Sequence, residues 1–470
     1  MSESVSSTEQ RVLIANRGEC ASRLIRAFHE LKIETIAVFS EADRNAPFVK
    51  AATHSFLLGA SPASESYLRV DRLLDAGRQL GATAVHPGWG FLSENPDFAK
   101  AVEAEGWIFV GPTAEHSRDL GDKVTARTLA AQAGVPCTPA WSPEPDSDSK
   151  NELERWSEKA QDIGFPVLVK AVSGGGGKGM RIVRDRSELK EALPAAKREA
   201  LSSFNDDRVF LEKFVEPARH IEVQVLGDGN GDVAIIGDRE CSLQRRHQKL
   251  VEEAPAVHIK EDVRSAMQDA ARSLARSVSY RGAGTVEFLL DESGDQFYFL
   301  EMNTRLQVEH PITEEIIGKD LVREQIRVAE GETLSFTQED LSINGHAIEA
   351  RLYAEDPAKG FLPSPGPVLA WTPSTVGKAR FDSGVETGSE ISTQFDPMIA
   401  KVIVHAATRR EAAGRLARVL ETTEIQGLRT NRDFLVATLR TEEFLAGDTT
   451  TDFIERVEPT RKREVPRQEL

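Results

Sequence analysis

Four consecutive glycines set between two apolar runs constrain this chain more than any other feature. Residues 173–179 read SGGGGKG, with PVLVKAV before them and MRIV after. Short aliphatic, β-branched runs bounded by glycine read as strands, so the loop joins two strands. Gly174, Gly176 and Gly179 match GxGxxG, but a dinucleotide fingerprint must open a helix, and MRIV does not. A Walker A loop fails too, because Gly179 follows Lys178 and Val172 stands where the first glycine belongs. A glycine run is entropically costly to order. The reading that remains is a hairpin lid whose backbone N–H groups fold over phosphates; the plainer alternative is a hairpin without a ligand.

Around this loop the chain divides. RVLIAN (11–16), TIAVFS (35–40), ATAVHP (82–87) and WIFVGP (107–112) read as strands. The first is followed by a helix with Leu24, Ile25, Phe28 and Leu31 on one face. Strand–helix–strand repetition predicts an open parallel α/β domain whose ligand edge lies at the strand C-terminal ends. Residues 138–160 shift to Pro, Ser and charge, a linker running into a short helix. Strands follow at RVFLEKFV (208–215), IEVQVLGD (221–228) and VAIIGDRECSLQ (233–244), helices near 262–279 and 318–330, and a smaller α+β unit with a helix at 409–421. At ~150 residues per domain, 470 residues predict about three domains. The expected limits are 1–121, 122–335 (lid at about 138–210) and 342–450.

GTVEFLLDESGDQFYFLEMNTR (284–305) reads as two strands around a turn at 291–296. With pairing centred near Gly294, Glu287 stands opposite Glu301. Like charges directly opposite destabilise a bare hairpin, and both glutamates interrupt apolar runs, so a cation is expected between them. Asn303, two residues past Glu301, falls on the same face. Two carboxylates and an amide oxygen form a hard donor set suited to Mg²⁺ held together with substrate phosphates. Solvent-facing acids on an exposed sheet are the competing reading.

The net charge of −17 repels phosphate backbones and anionic lipid, so neither nucleic acid nor a membrane surface is an expected partner. No apolar stretch reaches the ~18 residues of a membrane span. MSESVSSTEQ lacks the features of an export signal, and Cys20, Cys137 and Cys241 make no disulfide framework; a reducing cytoplasm is expected. An acidic chain needs local cations to hold a polyanion. Lys170 ends the strand before the glycine loop, Lys123 opens a helix in GDKVTAR, and CSLQRRHQKLVEEAP (241–255) clusters Arg245, Arg246, His247 and Lys249. Singly these read as solvated side chains; as a set they suit a nucleotide tail and an anionic second substrate. NTRLQVEHPITE (303–314) adds Arg305, Gln307 and Glu309. An Arg and a Glu four apart beside a metal clamp can bind a small anion and supply a general base, or simply pair with each other. His86 and His310 read as packed histidines.

Taken in order, IANRGE (14–19), HPGWGFLSEN (86–95), GDKVTAR (121–127), VSGGGGKGMR (172–181), FLEKFVEPARHIEVQV (210–225), CSLQRRHQKLVEEAP, EMNTRLQVEHPITE (301–314), EARLYAED (349–356) and FDPMIAK (395–401) resemble the biotin carboxylase family of ATP-grasp enzymes. The motifs cover nearly the whole chain. The resemblance implies an N-terminal open α/β (pre-ATP-grasp) domain, an ATP-grasp domain with the glycine-rich lid, and a C-terminal α+β domain. It implies that Lys123 and Lys170 hold ATP phosphates under the lid glycines Gly175, Gly176 and Gly177. An adenosine pocket would comprise Glu212, Lys213, Phe214, His220, Gln244, His247 and Leu289, and Glu287, Glu301 and Asn303 would hold Mg²⁺ or Mn²⁺. Lys249, Arg305, Gln307 and Val308 would seat bicarbonate, Glu309 would be its base, and Arg351 beside Arg305 would stabilise the biotin enolate.

The implied reaction has bicarbonate attack ATP to give carboxyphosphate, which releases CO₂ to biotin on a carrier protein. Trp89 stands in the biotin loop where many members have Tyr, and the acidic linker at 143–160 is longer than usual. No Met-Lys-Met biotinylation site and no carboxyltransferase region are present. The chain is expected to be a stand-alone biotin carboxylase subunit or one cut from a larger enzyme, and the resemblance implies as partners a biotin carboxyl carrier protein and carboxyltransferase subunits of an acetyl- or propionyl-CoA carboxylase, with a homodimer as the expected state. Another ATP-grasp ligase, joining an acyl phosphate to an amine, would need the clamp and lid but not the bicarbonate set. A non-catalytic subunit would have lost a metal ligand or the base.

Overall fold

The computed structural model of the chain describes residues 10–143, 152–173, 179–246 and 248–460. Strands β1 (Arg11–Ile14), β2 (Glu34–Ser40), β3 (His54–Gly59), β4 (Ala84–His86) and β5 (Ile108–Phe109) form a parallel sheet in the order β3-β2-β1-β4-β5. β3, HSFLLG, went unread in the sequence because it is a half-buried edge strand with neither a long apolar run nor clean alternation. The helix Gly18–Glu30 buries Leu24, Ile25 and Phe28, but Leu31 is its C-cap and is 37% exposed, not part of the apolar face. Strand order reverses between β1 and β4, and a crevice opens at such a switch point. The loops after these two strands meet there, where the Asn16 side-chain amide donates to the carbonyls of Pro87 and Trp89, each at 2.8 Å.

β6 (Ala140–Trp141), β7 (Val167–Ala171), β8 (Met180–Val183) and β9 (Val209–Lys213) make an antiparallel sheet in the order β6-β9-β7-β8. Lys170 pairs with Met180 across β7 and β8, so the glycine segment joins antiparallel neighbours, and a strand-to-helix turn is excluded. Gly175, Gly176 and Gly177 themselves lie outside the described residues. The segment expected as a linker contributes β6 at the sheet edge and the twelve-residue helix Glu152–Ile163; its residues 144–151 lie outside the described residues.

β10 (Ala218–Asp228), β11 (Val233–Arg245), β12 (Gln248–Ala254), β13 (Arg281–Asp291), β14 (Phe297–Asn303) and β15 (His346–Tyr353) join the strands Met398–Ala406 and Arg380–Ser383 in one antiparallel sheet. The order is β14-β13-β10-β11-β12-β15, then Met398–Ala406, then Arg380–Ser383. The β12–β15 pairing carries this sheet from the central region into the C-terminal one, so the two share a layer. Alternation sets the two faces. Ile221, Val223, Val286 and Phe288 pack against Met267, Ala271 and Leu274 of the helix Glu261–Ser277. Truncating Leu274 to Ala would cost ~3 kcal/mol through the cavity it leaves. His220, Glu222, Gln224 and Glu287 point to the other face, and the chemistry gathers there.

Candidate active site

Four strands place a row of charge on that face. Glu301 lies opposite Glu287, Glu287 opposite Glu222, and Glu222 opposite Arg239. A bulge next to Glu287 and Phe288 slips the hairpin register by one toward the turn, while Glu287–Glu301 and Thr285–Asn303 keep the pairing centred on Gly294. Three adjacent carboxylates destabilise a sheet unless cations offset them. Glu222 takes the Arg239 Nε and Nη2 at 3.0 and 2.9 Å, and it pairs with Lys249. Glu287 accepts from Lys249 Nζ (3.2 Å), Asn303 Nδ2 (2.8 Å) and Gln307 Nε2 (3.0 Å), with His220 Nε2 at 2.8 Å. Burial opposes its ionisation, but Lys249 and His220 outweigh it and hold the carboxyl far below its usual range.

Glu309 is fully buried beside this row. Lys249 Nζ donates to its Oε1 at 2.7 Å and Arg351 Nη2 to its Oε2 at 3.0 Å. Burial works against the charged form; Lys249, Arg351 and Arg239 overcome it, so Glu309 is a carboxylate at neutral pH. Arg351 is itself held by Glu252 Oε1 at 2.5 Å. The simple Arg305–Glu309 pair does not form. Arg305 donates to Glu94 Oε2 (2.9 Å), Gln307 Oε1 (2.9 Å) and Asn303 Oδ1 (3.0 Å).

Near Glu301, Asp122 caps the helix Lys123–Gln132 by accepting from Thr125 N–H. This sets Lys123 Nζ 3.8 Å from Glu301 Oε2. Lys170 donates to Glu212 Oε2 at 3.3 Å, and Glu212 Oε1 takes Arg127 at 2.5 Å. Lys213 Nζ is spent on the carbonyls of Gly164 and Phe165, and Phe214 N–H on that of Pro166. His220 faces Glu287 and pairs across the sheet with Leu289; Gln244 lies opposite Lys249. His247 is outside the described residues. The basic cluster 245–249 splits, with Arg245 pairing with Glu355 and, among its described residues, Lys249 reaching the carboxylate row. Trp89 is buried, its ring tilted against His310 with Lys401 Nζ 4.6 Å from its centroid. His310 is packed as expected, and burial keeps its ring neutral.

Glu287, Glu301 and Asn303 offer oxygens from neighbouring strands, and Glu301 keeps 26% of its side chain exposed. That all-oxygen set fits a divalent cation such as Mg²⁺, with Glu287 exchanging one N–H partner for it and Asn303 Oδ1 sharing or giving up its bond from Arg305. Sequence reasoning missed Glu222, Arg239, Glu252 and Glu94. The first had a signal: polar His220, Glu222 and Gln224 alternate with apolar Ile221, Val223 and Val225.

Three family descriptions match: "Biotin carboxylase, N-terminal domain" over residues 8–116, "Carbamoyl-phosphate synthase L chain, ATP binding domain" over 122–337, and "Biotin carboxylase C-terminal domain" over 349–456. The chain is 45% identical to biotin carboxylase 2 of Bacillus subtilis over 444 residues, covering 94% of this chain and 98% of that one. It is 48% identical to the mitochondrial methylcrotonoyl-CoA carboxylase subunit alpha of Mus musculus over 94% of this chain, and spans 61% of that longer subunit. The biotin carboxylase domain of Hydrogenobacter thermophilus 2-oxoglutarate carboxylase, solved as a dimer with MgADP, ADP and bicarbonate, superposes with a TM-score of 0.91 at 42% identity. That match covers 96% of this chain and 98% of the solved one. With its parallel N-terminal sheet, four-stranded antiparallel sheet and shared antiparallel sheet, the chain belongs to the biotin carboxylase family and is one of its ATP-grasp ligases.

Proposed function

We propose that the chain carboxylates biotin on a carrier protein, using ATP and bicarbonate, as the first half-reaction of an acetyl- or propionyl-CoA carboxylase. The observation that carries this reading is Glu309, a buried carboxylate gripped by Lys249 and Arg351 beside Arg305 and Gln307. An entering bicarbonate competes with Glu309 for those cations. As they turn to the substrate, Glu309 becomes a stronger base and takes the bicarbonate proton, and the oxyanion attacks the γ-phosphate, forming carboxyphosphate as the bond to the leaving ADP breaks. Lys123 and Lys170 offset the charge of the transferring phosphoryl group. A divalent cation held by Glu287, Glu301 and Asn303 would supply further charge neutralisation at the phosphates. Carboxyphosphate then yields CO₂ and phosphate, phosphate takes the biotin N1′ proton, and Arg351 stabilises the enolate that captures CO₂. The labile intermediate must be kept from water until CO₂ is captured.

In this reading the domains are 1–121, 122–335 and 342–450. A second copy of the chain, a biotin carboxyl carrier protein and carboxyltransferase subunits are its partners, and the cytoplasm is its compartment. Among the described residues no helix is long and apolar enough to cross a membrane. ADP release by the purified chain with Mg²⁺-ATP tests the reading. It should require bicarbonate and rise with free biotin, whereas bicarbonate-independent hydrolysis would transfer weight to an amine-acylating ATP-grasp ligase.

A further inference from the structure

Lys401 is a fully buried lysine that the proposed mechanism does not use. Its Nζ donates to the Val308 carbonyl at 2.8 Å and lies 4.6 Å from the centroid of the Trp89 ring. Asp382 Oδ2 and Glu19 Oε2 stand at 3.7 and 3.8 Å. A buried ammonium is costly unless paired, so its place is defined by these four groups. Lys401 is also directly opposite Arg351 in the sheet, and Arg351 grips Glu309 from the far side. Val308 immediately precedes Glu309, which caps the helix His310–Ile317. Because a peptide unit is planar, holding the Val308 carbonyl fixes the plane that also contains the Glu309 N–H and Cα.

We propose that Lys401 is a positioning residue for the general base, orienting Glu309 through the Val308–Glu309 peptide, with the Trp89 ring as the wall that keeps its ammonium in place. Arg351 then sets the Glu309 side chain while its cross-strand neighbour sets the Glu309 backbone. An indole presents the strongest cation–π face of the aromatic side chains, which gives Trp89 a reason to stand where a phenol is common. Carboxylate Asp382 stays compensated by Arg380 and Arg26 if Lys401 is removed. Glu19, whose burial pushes its carboxyl up to about 7, can take a proton.

This inference rests on the biotin carboxylase reading, and the test separates the two. Bicarbonate-dependent ADP release would be measured for wild type, Lys401→Met, Lys401→Arg and the charge-balanced double variant Lys401→Met/Glu19→Gln. Both Met variants should lose about 10- to 100-fold in kcat with a raised KM for bicarbonate, while KM for ATP stays within about twofold. Lys401→Arg, which keeps a donor to the Val308 carbonyl, should recover part of the loss. If Lys401→Met does not fold, the double variant carries the same comparison. An unchanged kcat and bicarbonate KM, or an equal loss in ATP affinity, overturns the positioning role. A wild type indifferent to bicarbonate overturns the functional reading and this inference with it.

Discussion

Lys123 and Lys170 are two ammonium groups brought near each other, one facing Glu301 at 3.8 Å and the other Glu212 at 3.3 Å. Beyond the carboxylate row a single carboxylate, Glu309, sits between two cations at 2.7 and 3.0 Å. Burial pulls the Lys123 ammonium below its ordinary value, Glu301 offsets part of that, and Lys170 adds to it. In the proposed reading a polyphosphate takes the Lys123–Lys170 end, where it would ease the repulsion between the two ammonium groups, and bicarbonate takes the Glu309 end, where it must displace Glu309 from Lys249 or Arg351.

Glu287 belongs to both ends, accepting from Lys249 and standing opposite Glu301. Its neutral isostere is the strongest way to break the contrast. Glu287→Gln should reduce kcat for ADP release by about 10³-fold, because it weakens the cation site and the hold on Lys249 together; a loss under tenfold would show that the two ends do not share it. Arg351→Ala comes next. It should lower biotin carboxylation by about 10²-fold while bicarbonate-dependent ATP cleavage falls less, because Lys249 still holds Glu309, and equal losses would confine Arg351 to its Glu309 contact. Lys170→Gln should confine its effect to the nucleotide end, raising KM for ATP about tenfold with the KM for bicarbonate unmoved.

How much of this contrast could be read beforehand depended on sequence distance. Glu287, Glu301 and Asn303 were legible because one hairpin contains them and its turn residues mark the centre; the bulge fell outside the pairs that mattered. Lys170 was legible from the strand before the glycine run. Glu94, the partner of Arg305, lies 211 residues away, and Glu252, the partner of Arg351, lies 99 away on another strand. No local pattern reports such pairs. The shared sheet was hidden for the same reason: β12 and β15 are separated by the helix Glu261–Ser277, the acidic hairpin and two further helices. β3 was lost because an edge strand needs no continuous apolar run.

The smallest expected effect concerns stability. Glu19 is pushed up to about 7 by burial, with Lys401 opposing the shift. Its folded value exceeds its unfolded value of ~4.3, so folding takes up a proton between them. The stability this group contributes is complete below ~4.3 and is lost as pH rises through about 7. Denaturant melts of wild type and Glu19→Gln should therefore diverge by up to ~3 kcal/mol in favour of the variant from about pH 5 to pH 8. Parallel curves would mean that Glu19 ionises normally.

Glu309→Gln is the most direct test, since it keeps the shape of the side chain and removes the carboxylate that serves as base and as counter-charge to Lys249 and Arg351. ATP binding by titration calorimetry and ADP release with and without bicarbonate should be measured on the same preparation. The account predicts ATP affinity within about twofold of wild type and bicarbonate-dependent turnover reduced by at least about 10²-fold. Turnover at the wild-type rate would contradict it and remove Glu309 from the chemistry.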